Sequence, residues 1–258
     1  MTAAGTKGPV ALVTGAARRI GAAIARDLAR HGWAVAIHYR ASKDEAEALA
    51  REIEAAGGRA ATIAGDLARE AEVETLIPRA VEALGPLTCL INNASVFEMD
   101  KIDSVTRESW DRHIETNLRA PLVLSQAFAR QLPEGMNGNI VNLLDQRVWK
   151  LTPYFLSYTV AKSALWTLTR TLALALAPRI RVNGIGPGPA LASERQSLEQ
   201  FRHQQAAVPL QHGPELAEIA AAVRFILASP SMTGQMIALD GGEHLAWAQS
   251  ARGFVARE

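Results

Sequence analysis

Cysteine is nearly absent: Cys89 is the only one in 258 residues. No intrachain disulfide can form, which fits a reducing compartment, and no His/Cys cluster has metal-ligand spacing. Cys89 lies in an apolar, strand-like run, where a buried structural thiol is a more natural reading than a reactive one. Excess charge is lacking too. The formal net charge is +1, so the electrostatics give no case for nucleic acid or a membrane surface as partner. Long hydrophobic runs are missing: the most apolar helical stretch, Ala164 to Ala177, is interrupted by Arg170 and is too short to span a bilayer. The N-terminus carries no charged-then-apolar signal. A soluble cytoplasmic protein is the expectation. Nothing divides the chain either, since linkers, solenoid-length repeats and low-complexity segments are all lacking. With 48% hydrophobic residues, one large domain over residues 1–258 has a sizeable core available.

What is present is alternation. Apolar strand-like runs occur at Val10 to Val13, Trp33 to His38, Arg59 to Ala64, Thr88 to Ile91, Asn139 to Leu144, Arg179 to Ile185 and Met236 to Leu239. Helical patterns separate them: a segment ending at His31 with Ile24 and Leu28 on one face, then Lys43 to Ala56, Glu70 to Leu84, about Ser109 to Gln131, Pro153 to Ala177, and Glu215 to Leu227. Pro78 and Pro121 fall inside two of these helices and predict kinks. Residues Leu191 to Val208 are polar and weakly periodic, and the tail after Glu243 (with Trp247 and Phe254) has no clear period. Strands alternating with helices predict an α/β fold, a Rossmann-type doubly wound parallel sheet of about seven strands with helices on both faces.

In such folds ligands bind at the C-terminal ends of the strands, and here those ends carry informative residues. The first strand runs into Thr14-Gly15 and ends its turn at Gly21, so backbone N–H groups and a helix N-terminus can face a pyrophosphate. The spacing is not G-x-G-x-x-G. Strand two ends in His38-Tyr39-Arg40-Ala41-Ser42, with no acid before Asp44. An NAD site would place an acidic residue there for the ribose hydroxyls. Arg18 and Arg40 with the Ser42 hydroxyl suit a 2′-phosphate instead, so NADPH is the expected cofactor. Asp66, after strand three, either bonds an adenine amino group or caps the next helix. Asn92-Asn93-Ala94-Ser95 follows strand four. Asn117, a poor helix former, either bonds a water or bends its helix.

The centre of the chain is Asp145 to Lys162. Asp145 sits at a strand end. Tyr158 and Lys162 are four apart on one helix and share a face. A carboxylate, a phenol and an ammonium converge, which is an arrangement for proton transfer: a nearby ammonium favours phenolate and makes the phenol a better acid.

Together, T-G-x-x-x-x-x-G, N-N-A-S, Asn117, Tyr158-x-x-x-Lys162 and the Pro-Gly after strand six resemble the short-chain dehydrogenase/reductases, from about Val10 to Gly242. The resemblance implies Tyr158 as proton donor, Lys162 on the nicotinamide ribose, and Asn117 holding a relay water. Two departures stand out. Arg19 replaces the usual middle glycine of the first turn, and Asp145 replaces the usual serine thirteen residues before the tyrosine. With His38-Tyr39 and Asn93 to Phe97, they resemble the pteridine reductase and dihydromonapterin (dihydrofolate) reductase branch. That branch implies Phe97 stacked on a pterin ring, Ser95 bonded to it, Arg19 touching both pyrophosphate and substrate, and Asp145 with Tyr158 at the reacting bond.

The expected cofactor site comprises Gly15, Arg18, Arg19, Ile20, His38, Tyr39, Arg40, Ser42, Asp66, Leu67, Asn93, Ala94 and Ser95, with Tyr158, Lys162, Pro187 and Gly188. Residues 190–210 are expected to form a substrate lid hinged at Gly186 and Gly188. An ionised Asp145 beside Tyr158 would disfavour phenolate, which is awkward for a dehydrogenase base and suits a reductase that protonates a ring nitrogen. The expected reaction is hydride transfer from NADPH to a C=N bond of a pterin or dihydropterin. The rivals are a general NADPH-dependent ketone reductase and a non-catalytic NADP-binding sensor. Family habit and the apolar long helices point to a homotetramer with a small-molecule substrate, and no metal is expected.

Overall fold

In the computed structural model, which describes residues 8–192 and 196–245, seven parallel strands form one sheet in the order β3-β2-β1-β4-β5-β6-β7. The strands are β1 (Val10–Val13), β2 (Ala34–Tyr39), β3 (Arg59–Ala64), β4 (Cys89–Asn92), β5 (Gly138–Leu143), β6 (Ile180–Pro187) and β7 (Met236–Leu239). The order reverses between β1 and β4, where the crossovers part to opposite faces and a crevice opens. β1 shows why the strands read as unbroken apolar runs. Val10 and Leu12 enter one core cluster with Leu76 and Phe128, while Ala11 and Val13 enter the other with Ile24 and Ile219. Cys89 is fully buried in β4, and burial raises its thiol pKa, so it is an inert core residue.

The helices are α1 (Arg19–Arg30), α2 (Lys43–Ala55), α3 (Glu70–Leu84), α4 (Arg107–Ile114), α5 (Ala120–Gln131), α6 (Leu156–Leu176), α7 (Leu198–Ala206) and α8 (Leu216–Ala228). Among the described residues none is long and apolar enough to cross a membrane. α3 spans Pro78 as one helix with the expected bounds. Three expectations change. The long helix around Pro121 starts earlier, under a Thr106–Ser109 capping box, and opens into a π turn over Glu115–Arg119 before α5. Pro121 has no N–H to return to the preceding turn, and a π turn is a common way to absorb such a fault. α6 starts at Leu156 rather than at Pro153. Its first turn is capped from far along the chain: Asp100 accepts bonds from the Ser157 N–H (3.1 Å) and from the Ser157 hydroxyl. The polar segment before Val208 contains α7, whose Ser197–Gln200 capping box is legible in the sequence as S-x-x-Q. Residues 193–195 of the expected lid, and Trp247 and Phe254 of the tail, lie outside the described residues.

Gly186 and Gly188 are held in the sheet. Gly186 pairs with Ala238 across β6 and β7, and the Gly188 N–H donates to the Leu239 carbonyl (2.9 Å). A Cβ on Gly188 would lie 2.7 Å from the Asp240 Cα, so close packing, not hinge freedom, explains that glycine. Gly21 is similar: a Cβ there would meet the Gly15 carbonyl oxygen at 2.3 Å and the Asn93 amide at 2.6 Å. Gly21→Ala is therefore expected to destabilise the fold by about 1–3 kcal/mol through overpacking, read as a lower urea midpoint with unchanged slope. A neutral effect would mean that the first turn relaxes freely.

Candidate active site

The crevice between β1 and β4 is stitched by side chains. The Thr14 hydroxyl accepts from the N–H groups of Asn93 (2.9 Å) and Ala94 (3.0 Å). The Asn93 amide donates to the carbonyls of Thr14 (2.8 Å) and Gly15 (3.2 Å). Gly15 has φ +60, a conformation that suits glycine. These contacts fix the first turn and leave a cleft of about 380 Å³ over it. The cleft gathers the expected first-turn residues Gly15, Arg18, Arg19 and Ile20, then His38, Tyr39, Arg40 and Ser42, and finally Asp66, Leu67, Asn93, Ala94 and Ser95. A groove with glycine opening its first turn, a helix N-terminus and an arginine–serine rim fits an extended phosphorylated dinucleotide.

His38 contributes from underneath. The Gly15 N–H donates to its Nδ1 (3.0 Å), so Nε2 carries the proton and donates to the Gly65 carbonyl (3.0 Å). The ring ties the turns after β1 and β3 to β2. Burial pushes its pKa down to about 4. Asp66 does not cap α3, whose N-cap is Arg69. Its carboxylate accepts from the Ala68 N–H (3.0 Å) in a local turn, and it lines the cleft.

A second cavity of about 230 Å³ adjoins the first and shares Arg19, Ile20, Asn93 and Ser95 with it. Tyr158, Lys162, Pro187 and Gly188 line this second cavity, with Asp145 and Phe97. The Tyr158 hydroxyl donates to Asp145 Oδ2 at 2.8 Å. Burial raises the Tyr158 pKa well above its ordinary value, and the Asp145 charge adds to this. The phenol is thus held neutral and aimed at a carboxylate. Lys162 Nζ donates to the Leu143 carbonyl (2.6 Å) and lies 5.8 Å from the Tyr158 ring centre. Burial lowers its pKa to about 8.

Three of the expected site residues make contacts within the protein. Both ends of the Asn117 amide are committed to the loop after β4: Oδ1 accepts from the Val96 N–H (2.8 Å), and Nδ2 donates to the Val96 carbonyl (2.8 Å). Its side chain shapes that loop. The Phe97 ring lies parallel to Phe155, 4.4 Å between centres, and edge-on to Tyr158. Arg19 adopts φ +56 and donates to the Ala192 carbonyl (2.9 Å).

Sequence reasoning missed Arg147, Phe155 and Glu243. Arg147 donates to Asp145 Oδ2 (3.1 Å), and its guanidinium carbon lies 5.3 Å from the Phe97 ring and 5.2 Å from Phe155. Burial works against its charge, but Asp145 holds its pKa above the ordinary value. Only its position just after Asp145 could have flagged it. The Phe97 loop is anchored by a second buried group: His113 Nε2 accepts from the Glu98 N–H (3.1 Å), and His113 Nδ1 lies 2.7 Å from the Ser157 hydroxyl.

A family model described as enoyl-(acyl carrier protein) reductase matches residues 15–244. The chain belongs to the short-chain dehydrogenase/reductase family. Among solved short-chain dehydrogenase/reductase structures it is similar to FolM alternative dihydrofolate reductase 1 from Brucella suis in complex with NADP. The two are 53% identical with TM-score 0.91, over 94% of this chain and 97% of that one. The same enzyme from Brucella canis, complexed with NADP, is 51% identical with TM-score 0.92, over 95% of this chain and 98% of that one. Within the family it is also 33% identical over 240 residues to a 3-oxoacyl-[acyl-carrier-protein] reductase of Staphylococcus epidermidis, covering 91% of this chain and 98% of the relative.

The His38 geometry has a consequence for stability. Its folded pKa of about 4 lies below the ordinary histidine value of 6.5, so the unfolded chain takes up the proton first. The stabilisation is complete above pH 6.5 and is lost as pH falls towards 4. This share is on the order of 3 kcal/mol. His38→Asn retains an acceptor for the Gly15 N–H without a titrating ring. Its melting temperature should fall less steeply over that window than the wild type's, as measured by circular dichroism. Parallel curves would place the acid sensitivity elsewhere.

Proposed function

We propose that this protein is an NADPH-dependent reductase that delivers hydride to a C=N bond of a pterin or dihydropterin. The observation that carries this reading is the neutral Tyr158 phenol bonded to Asp145 in a cavity walled by Phe97 and Phe155. The NADP-bound dihydrofolate reductases at 51–53% identity support it. NADPH, when bound, supplies the hydride. Arg18, Arg40 and Ser42 rim the cleft where a 2′-phosphate would lie, and Lys162 lines the adjoining cavity.

Reduction of C=N adds hydride to carbon and leaves the electron pair on nitrogen, which takes a proton. Tyr158 is the donor. Its hydroxyl is already a hydrogen-bond donor to Asp145, and its raised pKa keeps the proton available until nitrogen develops charge. The resulting phenolate beside Asp145 is unfavourable, so it is reprotonated promptly: Asp145, which faces the cavity, takes up a proton from water and passes it to the Tyr158 oxygen along the bond between them. Arg147 balances the carboxylate and keeps the aromatic wall in place. A plain ketone reductase remains the second reading, favoured by the 33% identical 3-oxoacyl reductase. A phenolate base is what oxidation of an alcohol requires, and Asp145 opposes it. Exposed Leu174 and Phe225 support self-association, and a homotetramer remains our expectation, as does a cytoplasmic location.

Tyr158→Phe is expected to lower turnover of dihydrobiopterin, dihydromonapterin or dihydrofolate by at least about 100-fold while NADPH still quenches protein fluorescence. Wild-type-like turnover in that variant would sink the assignment. Run against a ketone panel, activity on ketones alone would select the second reading, and binding without any turnover the sensor. Arg40→Ala should weaken NADPH binding roughly tenfold or more and leave NADH binding nearly unchanged. Equal losses for both would remove the 2′-phosphate role. Because burial sets the Lys162 pKa to about 8, the ammonium is charged below that pH and lost above it. Turnover should therefore decline as pH rises through about 8, and Lys162→Met should abolish that limb along with most of the activity.

A further inference from the structure

Glu243 has no role in the scheme so far. It opens a short 3-10 turn, Glu243–Leu245, directly after β7, and its side chain lines the cavity that holds Tyr158 and Asp145. The turn is rigidly made. Both oxygens of Asp240 accept from backbone N–H groups, of Gly242 (3.0 Å) and His244 (2.8 Å), and the His244 ring closes on the same carboxylate at 2.7 Å. That turn fixes the backbone from which the Glu243 side chain reaches the cavity.

Its surroundings are unusual for a glutamate. Burial raises its pKa, and the charges of Asp145 and Asp240 oppose ionisation while those of Arg147 and Lys150 favour it. Among the described residues its carboxylate has no hydrogen-bond partner. A half-buried acid without a donor is costly to keep, and a solvated surface position would not incur that cost. Among the described residues no pair of N–H groups donates to this carboxylate. A 2-amino-4-oxo-pteridine has such a pair: the 2-amino group and N3–H lie side by side, spaced like the two arms of a guanidinium.

We infer that Glu243 is the specificity-determining residue of the cavity, accepting the 2-amino and N3–H hydrogens of a 2-amino-4-oxo-pteridine in a two-point pair. This rests on the pterin reading above and narrows it. The pair selects for the 2-amino group, because a carboxylate accepts at both oxygens. A 2-oxo-pteridine (a lumazine) presents an acceptor beside N3–H and meets the carboxylate with like polarity. Discrimination of this kind is strong, since the mismatched polar group is left unpaired. The Phe97 and Phe155 rings would bound the ring system sideways, and Tyr158 would stand at its reducible bond. Glu243 then acts at the opposite edge of the same flat molecule.

The test compares 6-methyl-7,8-dihydropterin with 6-methyl-7,8-dihydrolumazine as substrates of the full-length protein with NADPH. The wild type should prefer the dihydropterin by roughly tenfold or more in kcat/KM. Glu243→Gln offers one donor and one acceptor, which complement the O2 and N3–H edge of the lumazine. The variant should raise KM for the dihydropterin, with kcat less affected, and move the preference towards the lumazine. NADPH binding, followed by fluorescence, should stay unchanged and reports that the variant is folded. An unchanged substrate ratio in the variant, or equal losses on both substrates, would overturn the role of Glu243 and leave the pterin reading standing. Should the variant not fold, the wild-type preference decides alone, and equal rates on the two substrates would overturn the inference. A wild type that reduces neither pteridine but reduces ketones would overturn both readings together.

Discussion

The Asp145 carboxylate lies one hydrogen bond from the buried phenol of Tyr158 and one from the guanidinium of Arg147. Much of the site follows from that placement. A buried anion needs compensation, and the backbone supplies part of it: Asp145 Oδ1 accepts from the Arg147 N–H (2.8 Å) at the start of a short 3-10 turn. The guanidinium supplies the rest and is itself kept in place by two phenyl rings. With a serine at this position Lys162 would act on Tyr158 without opposition. With Asp145 there, the nearest charge to the phenol is negative, and the equilibrium of the site lies with the protonated tyrosine. The direction of chemistry that this favours is proton delivery.

That arrangement is useful only if the two cavities keep a fixed relation, and the frame that fixes them is independent of Asp145, Arg147 and Lys162. Thr14, Asn93 and His38 hold the turns after β1, β3 and β4 against one another by hydrogen bonds that are mostly to backbone. On the far side, Asp100, His113 and Ser157 tie the Phe97 loop to the helix that bears Tyr158 and Lys162. Both frames use a neutral histidine with one nitrogen accepting from a backbone N–H. Neutrality is enforced by burial, which lowers the pKa of His38 and of His113. Acid would weaken both frames before it touched the hydrophobic cores.

The sheet, its strand ends and the family motifs were readable from the sequence because they obey local rules: period, apolar runs and glycine at turns. Tyr158 and Lys162 were readable for the same reason, being one helical turn apart. What was not readable depends on contacts far along the chain. The start of α6 is set by Asp100, fifty-seven residues away, and no local signal could outrank Pro153 as a helix opener. The occupation of Asn117 by the Val96 backbone and the parallel stacking of Phe97 on Phe155 are likewise tertiary facts. Glu243 looked like the start of a featureless tail, and only the fold of β7 beside β6 brings it to the cavity. α7 is a different case: its capping box was in plain sight, and the weak apolar period obscured it.

Two residues show how much of this site is held against local preference. Arg19 and Phe155 both adopt φ +56, at the start of α1 and at the N-cap of α6. A side chain in that region costs on the order of 1–3 kcal/mol, and glycine would adopt it freely. Each helix could therefore start more cheaply with glycine, and in the first turn glycine is the usual residue of the family. Both side chains line the same cavity as Tyr158 and Asp145. Arg19 reaches across to the Ala192 carbonyl, and Phe155 forms one ring of the aromatic wall. The surrounding structure over-determines both conformations: the Ser157–Asp100 cap secures one, and the packed Gly15–Gly21 turn secures the other. The strain is tolerated where the side chain is used, so the outliers mark the cavity wall independently of any motif. Arg19, Phe155 and Glu243 all line that one cavity.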